Sequence, residues 1–188
     1  MGLFRRRWPH QAWALDLEAT GLDPAHDEIL SLGMVLIRDD VIHWGERVSR
    51  RIRPRRDAAG PAVLVHQLLP DESQGEALIE TLVPELAVLW ADAALIVHWS
   101  HLDIGLLRRA FRQAGTPWPR PRIVDTIDLL NRLDRRRRLV EPFAEATPTT
   151  LDTARETLGL PRFRAHHALY DALATAELYL LLKARLGG

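Results

Sequence analysis

The 188-residue sequence predicts an α/β fold, a five-stranded mixed sheet with helices on both faces. Two observations carry that expectation. Three extended segments follow one another through short links near the N-terminus, which makes an antiparallel meander. After them, helical and extended segments alternate, which calls for parallel crossovers over the same sheet.

Each element has its own signal. Residues 11–17 form an apolar run that reads as a buried strand, stopped by the turn chemistry of Thr20-Gly21-Leu22-Asp23-Pro24. Residues 29–37 and 41–52 read as two more strands joined at Arg38-Asp39-Asp40. A short helix is expected at 61–67 and a longer one at 74–90, where Leu78, Leu82, Leu86 and Leu89 mark an apolar stripe that Pro84 should kink. Ala93 to Val97 is short and wholly apolar, as a strand buried on both faces should be. Residues 102–114 are amphipathic and end at Gly115, a helix stop. The prolines at 117, 119 and 121 keep the next connection extended, and Ile123-Val124 completes the sheet. Residues 125–133 read as a helix and 135–148 as a long loop. Thr149 or Thr150 then caps a helix running to Leu158, closed by Gly159, and residues 168–186 form the last helix.

Composition bounds the chemistry. At 47% hydrophobic and 27% charged, the chain can bury one substantial core, so a single domain is expected over 11–188 behind a basic tail at 1–10. With no cysteine there is no disulfide and no thiolate ligand, so any bound metal rests on carboxylate, imidazole and water, a donor set suited to Mg²⁺ or Mn²⁺. The run Arg5-Arg6-Arg7 is followed by Trp8-Pro9-His10 rather than an apolar stretch, and later apolar runs are too short for a bilayer; a cytoplasmic protein is expected. Net charge is zero, yet arginines crowd positions 47–56 and 135–138, which are either phosphate-attracting patches or solvated faces.

Three acidic clusters stand out. Asp16 and Glu18, two apart on a strand, project to one face about 7 Å from each other and repel unless a cation lies between them. Asp103 follows the buried apolar strand, in the place where open α/β sheets put their ligands. Asp171 opens the last helix behind His166-His167. Helical spacing alone pairs His167 with Asp171; His166 replaces it if the helix begins near His167.

The set Asp16-Leu17-Glu18-Ala19-Thr20-Gly21, His98 to Asp103 and His166-His167-Ala168-Leu169-Tyr170-Asp171 resembles the three motifs of the DEDDh exonucleases, the family of the proofreading epsilon subunit of bacterial DNA polymerase III. The resemblance spans about residues 11–185 and takes in Thr150-Leu151-Asp152 and Leu158-Gly159-Leu160. It implies a ribonuclease H-like fold and a 3′-to-5′ exonuclease releasing nucleoside 5′-monophosphates from single-stranded DNA. It also implies two divalent cations on Asp16, Glu18, Asp103 and Asp171, with His166 as general base and His167 at a variable position. Ala19, Thr20, Gly21, Leu22, His66 and His98 would line the nucleotide cleft. The chain departs from the pattern at Trp99, usually Asn, and Leu102, usually Phe. Trp99 is either a stacking platform for a splayed base or, as the bulk of tryptophan favours, a packed side chain. Trp8 is either a nucleic-acid contact or part of a frayed tail. An RNA exonuclease of the oligoribonuclease or ribonuclease T kind is the alternative, and a binding or scaffolding subunit of weak activity a second. The short stretch after the last helix suggests a stand-alone nuclease, or one whose partner, such as a DNA polymerase subunit, binds elsewhere.

Overall fold

The computed structural model describes residues 8–55 and 77–187. Arg5 to Arg7, Arg56, His66, the helix expected at 61–67 and the first turn of the one expected at 74–90 lie outside the described residues. Strands β1 (Gln11–Ala19), β2 (Ile29–Arg38), β3 (Val41–Arg51), β4 (Ala94–Val97) and β5 (Ile123–Asp125) form one sheet in the order β3-β2-β1-β4-β5. The first three pair antiparallel, whereas β1 with β4 and β4 with β5 pair parallel. Helices α1 (Ile79–Trp90), α2 (Ser100–Gln113), α3 (Thr126–Arg138), α4 (Leu151–Thr157) and α5 (Ala168–Arg185) complete the described elements.

Alternation along β1 divides the core. Trp13, Leu15 and Leu17 face one layer with Val83, Leu86 and Trp90 of α1 and Leu106, Leu107 and Phe111 of α2. Ala12 and Ala14 face the other, with Leu129, Leu130 and Leu133 of α3, Ala154 of α4 and Leu178, Tyr179 and Leu182 of α5. Helices therefore cover both faces. Asp16 and Glu18 continue the Ala12-Ala14 row, so both acids emerge on the side that α5 crosses.

The hairpin between β2 and β3 is set by Asp39 and Asp40, whose φ of 48° and 65° match a two-residue turn suited to strand twist; aspartate tolerates that backbone. Four expectations are corrected. β1 runs on to Ala19 and takes Glu18 into the strand. α2 begins at Ser100 rather than at 102. The helix expected at 74–90 begins at Ile79, after an extended Leu78, and contains Pro84. Residues 135–138 belong to α3, not to a loop, because arginine is a good helix former and cations favour a helix C-terminus. The run is also engaged locally. Arg136 donates to the Leu186 carbonyl (2.8 Å), Arg137 pairs with Asp134 and Arg138 donates to the Ala144 carbonyl. Trp8 is neither frayed nor free: it packs edge-on against Tyr179 with Arg132 over its ring. Among the described residues no helix is long and apolar enough to cross a membrane.

Candidate active site

The acids meet where β1 ends and α5 begins. Asp16 pairs with Gly33 across the β1–β2 ladder, and Gly33 is where α5 touches the sheet. A Cβ at Gly33 would lie 2.2–2.3 Å from the backbone of Ala168 and Leu169. Only the missing side chain lets the first turn of α5 come that near, and Asp171 comes with it. One ligand oxygen each of Asp16, Glu18 and Asp171 then fall within 4.8 Å of one another. Asp103 stands outside that trio, buried in the first turn of α2, but near enough for its charge to act on Asp16.

Burial and mutual repulsion dominate this cluster. Burial pushes the Asp16 carboxyl well above the ordinary carboxylate range, and Asp103, Asp171 and Glu18 push it further. Asp103 is raised by burial and then by Asp125 and Glu18. Asp171 is pushed up to about 6 by burial and by Glu18, against a 3.1 Å hydrogen bond from the His167 amide and the charge of His166. Among the described residues, neither Asp16 nor Asp103 accepts a hydrogen bond. Clustered hard oxygen donors suit a divalent cation such as Mg²⁺ or Mn²⁺, which Asp16, Glu18 and Asp171 could hold, with Asp103 a fourth acid beside them.

The helix starts at Ala168 with His167 as its N-cap, so His166 lies in the preceding loop with φ 63° and an exposed side chain. Pure helical spacing misleads here, because His167 is not on the helix face; its ring leans on Tyr170 with centroids 4.8 Å apart. A buried guanidinium fixes the loop that carries His166. Arg155 of α4, 1% exposed, donates to the Ala174 carbonyl (2.6 Å), the Pro161 carbonyl (3.1 Å) and Glu177 (2.7 Å), and sits over the Phe163 ring.

Sequence reasoning missed Arg155, Gly33 and Asp125. Asp125 ends β5 and caps two helices at once: it accepts from the Ile127 amide (2.9 Å) at the start of α3, and from the amides of Trp99 (3.3 Å) and Ser100 (2.8 Å) at the start of α2. Read as the first residue of a helix, it gave no sign of the second. His98 is braced between the Thr126 hydroxyl and the Thr149 carbonyl, both at 2.7 Å, and burial lowers its pKa. Its ring thus ties the two segments together. Trp99 is 49% exposed, which overturns the packing expectation.

In the loop after β1, the Thr20 hydroxyl is spent inward, donating to Asp27 and accepting from the Glu28 amide. Gly21 lies so close to the Asp27 carboxylate that a Cβ would meet it at 2.5 Å. Ala19 is buried, whereas Leu22 stands 70% exposed at the tip.

This arrangement of strands and acids has known counterparts. Residues 13–179 match the profile of the family described as exonuclease, RNase_T. The chain belongs to that exonuclease family. DNA polymerase III PolC-type of Thermotoga petrophila is 32% identical over 167 residues, and the 3'-5' exonuclease DinG of Bacillus subtilis 28% over 179. These alignments cover 88% and 92% of this exonuclease-family chain, but 11% and 17% of the relatives, so the chain spans a small part of their length. Escherichia coli exonuclease I, solved in complex with a dT13 oligonucleotide, superposes with a TM-score of 0.75 at 18% identity, over 93% of this chain and 41% of that one. A zinc-bound form of the same enzyme with single-stranded DNA gives 0.76 over 95% of this chain and 41% of that one, also at 18% identity. The fold is thereby the ribonuclease H-like one that the motifs implied.

Proposed function

We propose that this chain is a divalent-cation-dependent 3′-to-5′ exonuclease that hydrolyses the terminal phosphodiester of single-stranded DNA and releases nucleoside 5′-monophosphates. The observation that carries the reading is the meeting of Asp16, Glu18 and Asp171, with one carboxylate oxygen of each within 4.8 Å of the others. The family match, the exonuclease named among the relatives and the oligonucleotide-bound neighbour support it.

Asp16, Glu18, Asp171 and Asp103 hold the cations, two in number and Mg²⁺ or Mn²⁺ by their oxygen donors. Bound there, such ions make water more acidic and neutralise charge on the phosphate. The remaining work belongs to the chain. His166, exposed beside Asp171, takes the proton of the attacking water at an imidazole nitrogen. Leu22 and the backbone of residues 19–21 border the terminal nucleotide. The Arg155 clamp keeps the loop of His166 over the carboxylates. The PolC-type relatives suggest a polymerase as the class of partner whose 3′ ends it would edit.

The test is release of mononucleotides from 5′-labelled single-stranded DNA, with matched RNA in parallel, under Mn²⁺, Mg²⁺ or chelator. A 3′-to-5′ ladder on DNA that needs the cation and vanishes in Asp16→Asn supports the proposal. Full activity in that variant contradicts it, and faster cutting of RNA reassigns the substrate. His166→Ala should lower kcat about 10²–10⁴-fold with Mn²⁺ affinity retained. A larger loss in His167→Ala would move the base by one residue.

A further inference from the structure

We infer that Trp99 is a stacking platform for a base of the single strand, held outward by contacts around its backbone; the inference rests on the exonuclease reading above and adds a substrate contact to it. All six tryptophans are described, and five have partners or are buried. Trp13 and Trp90 are 4% and 0% exposed. Trp8 packs on Tyr179, Trp118 on Trp90 and Phe111, and Trp44 lies under the Arg47 guanidinium. Trp99, 49% exposed, has no ring or guanidinium over it among the described residues.

Its backbone tells the same story. Trp99 sits in the left-handed region, φ 69° and ψ 66°, which bulky residues avoid. Such strain persists only where the surroundings over-determine it, and here they do. On one side the His98 ring is braced between Thr126 and Thr149; on the other the Asp125 carboxylate holds the amides of Trp99 and Ser100. Asp39 and Asp40 share a positive φ, but a hairpin accounts for theirs. No turn of that kind accounts for Trp99, and the cage prevents the chain from relaxing to tuck the indole in.

The position suits a strand ending at the carboxylates. Trp99 is four residues ahead of Asp103, whose charge reaches Asp16. Its chain neighbour Ser100 lines a groove of about 400 Å³ together with Pro24, His101, Gly105 and Arg108. The exposed Arg108, whose guanidinium lies over the Trp118 ring, puts a positive charge on that groove suited to a backbone phosphate, and an indole offers a face to any base. A base must leave its partner to stack, so a single strand is favoured over a duplex.

Asparagine tolerates the left-handed backbone, so Trp99→Asn separates ligand binding from folding. With Ca²⁺ replacing Mg²⁺ to limit cleavage, fluorescence anisotropy of a labelled single-stranded DNA should show affinity lower by about 5- to 150-fold in Trp99→Asn. Trp99→Phe should recover most of it. The melting temperature of Trp99→Asn should rise by about 2–4 °C, opposite to what loss of a packing residue gives. An oligonucleotide with abasic 3′-terminal nucleotides should bind wild type and Trp99→Asn alike. Unchanged affinity in Trp99→Asn, or an equal loss on normal and abasic strands, overturns the inference while leaving the exonuclease reading intact if wild type still degrades the 3′ end. Wild type that neither binds nor degrades the strand overturns both.

Discussion

Asp134 and Asp103 are almost equally buried, at 6% and 5% exposure, yet their surroundings treat them in opposite ways. Asp134, near the end of α3, accepts the Thr147 amide at 2.7 Å and the Thr147 hydroxyl at 2.8 Å, and pairs with Arg137. It stitches the loop ahead of α4 to the helix. Asp103, at the start of α2, has other acids for neighbours, and its carboxyl is pushed up with those of Asp16 and Asp171. A buried carboxylate that is given donors is structural. Three whose nearest charges are mostly other carboxylates form a site suited to a cation, and burial alone does not tell the two kinds apart.

The sharpest way to break this contrast is to neutralise one acid of each kind. Asp171→Asn should remove Mn²⁺ binding and 3′-end cleavage below detection while the ion-free protein stays folded; Asp134→Ala should keep both. Calorimetric metal titration and the labelled-strand assay decide, and metal binding surviving Asp171→Asn would dissolve the distinction.

Next in size is the pH dependence of the ion-free protein. The folded pKa of Asp171, about 6, lies above an unfolded value of about 3.9, so protonation favours the folded state. Its stabilising contribution is fully present below about pH 4 and is lost as pH rises through about 6. The loss is on the order of 3 kcal/mol for this residue, with Asp16 and Asp103 shifted in the same direction. Denaturant melts with chelator between pH 4 and 8 should show the decline, and Mn²⁺ should reverse it at the upper end. A flat profile would mean that the acids do not burden the fold.

Asp134→Ala supplies the complementary stability effect. Leaving the buried Thr147 donors unpaired costs about 1–3 kcal/mol, read as a lower denaturation midpoint.

An effect of similar size is expected from Gly33→Ala. The added methyl must push α5 from the sheet, and Mn²⁺ affinity should fall roughly 10- to 100-fold, as losses in the shell around metal ligands do. Gly45→Ala is the control, because nothing lies within 4 Å of a Cβ there. Equal affinities in the two variants would separate Gly33 from the site.

Much of this was legible in the sequence because the relevant signals are local. Extended segments joined by short links marked the meander, and the spacing of Asp16 and Glu18 followed from strand geometry. What escaped depends on contacts between distant segments. Gly33 looks like one more residue in an apolar strand until α5 lies on it, and Asp125 reads as the first residue of a helix until its carboxylate is found holding the starts of α2 and α3. Arg155 is one arginine among many until its guanidinium is found inside. Two misreadings had local causes. The four arginines at 135–138 were weighed for charge rather than helix propensity, and Trp99 was judged by its bulk, whereas its left-handed backbone and the cage around it decide its exposure.

The central claim is that raised, clustered carboxylates await a divalent cation. Titrating Mn²⁺ into the protein at pH 6 and pH 8, each in two buffers of different ionisation heat, measures the protons released on binding. Asp171 is about half protonated at pH 6, so roughly half a proton or more should leave per protein there and fewer at pH 8. Binding with no proton release at pH 6, or no binding at either pH, would contradict the account.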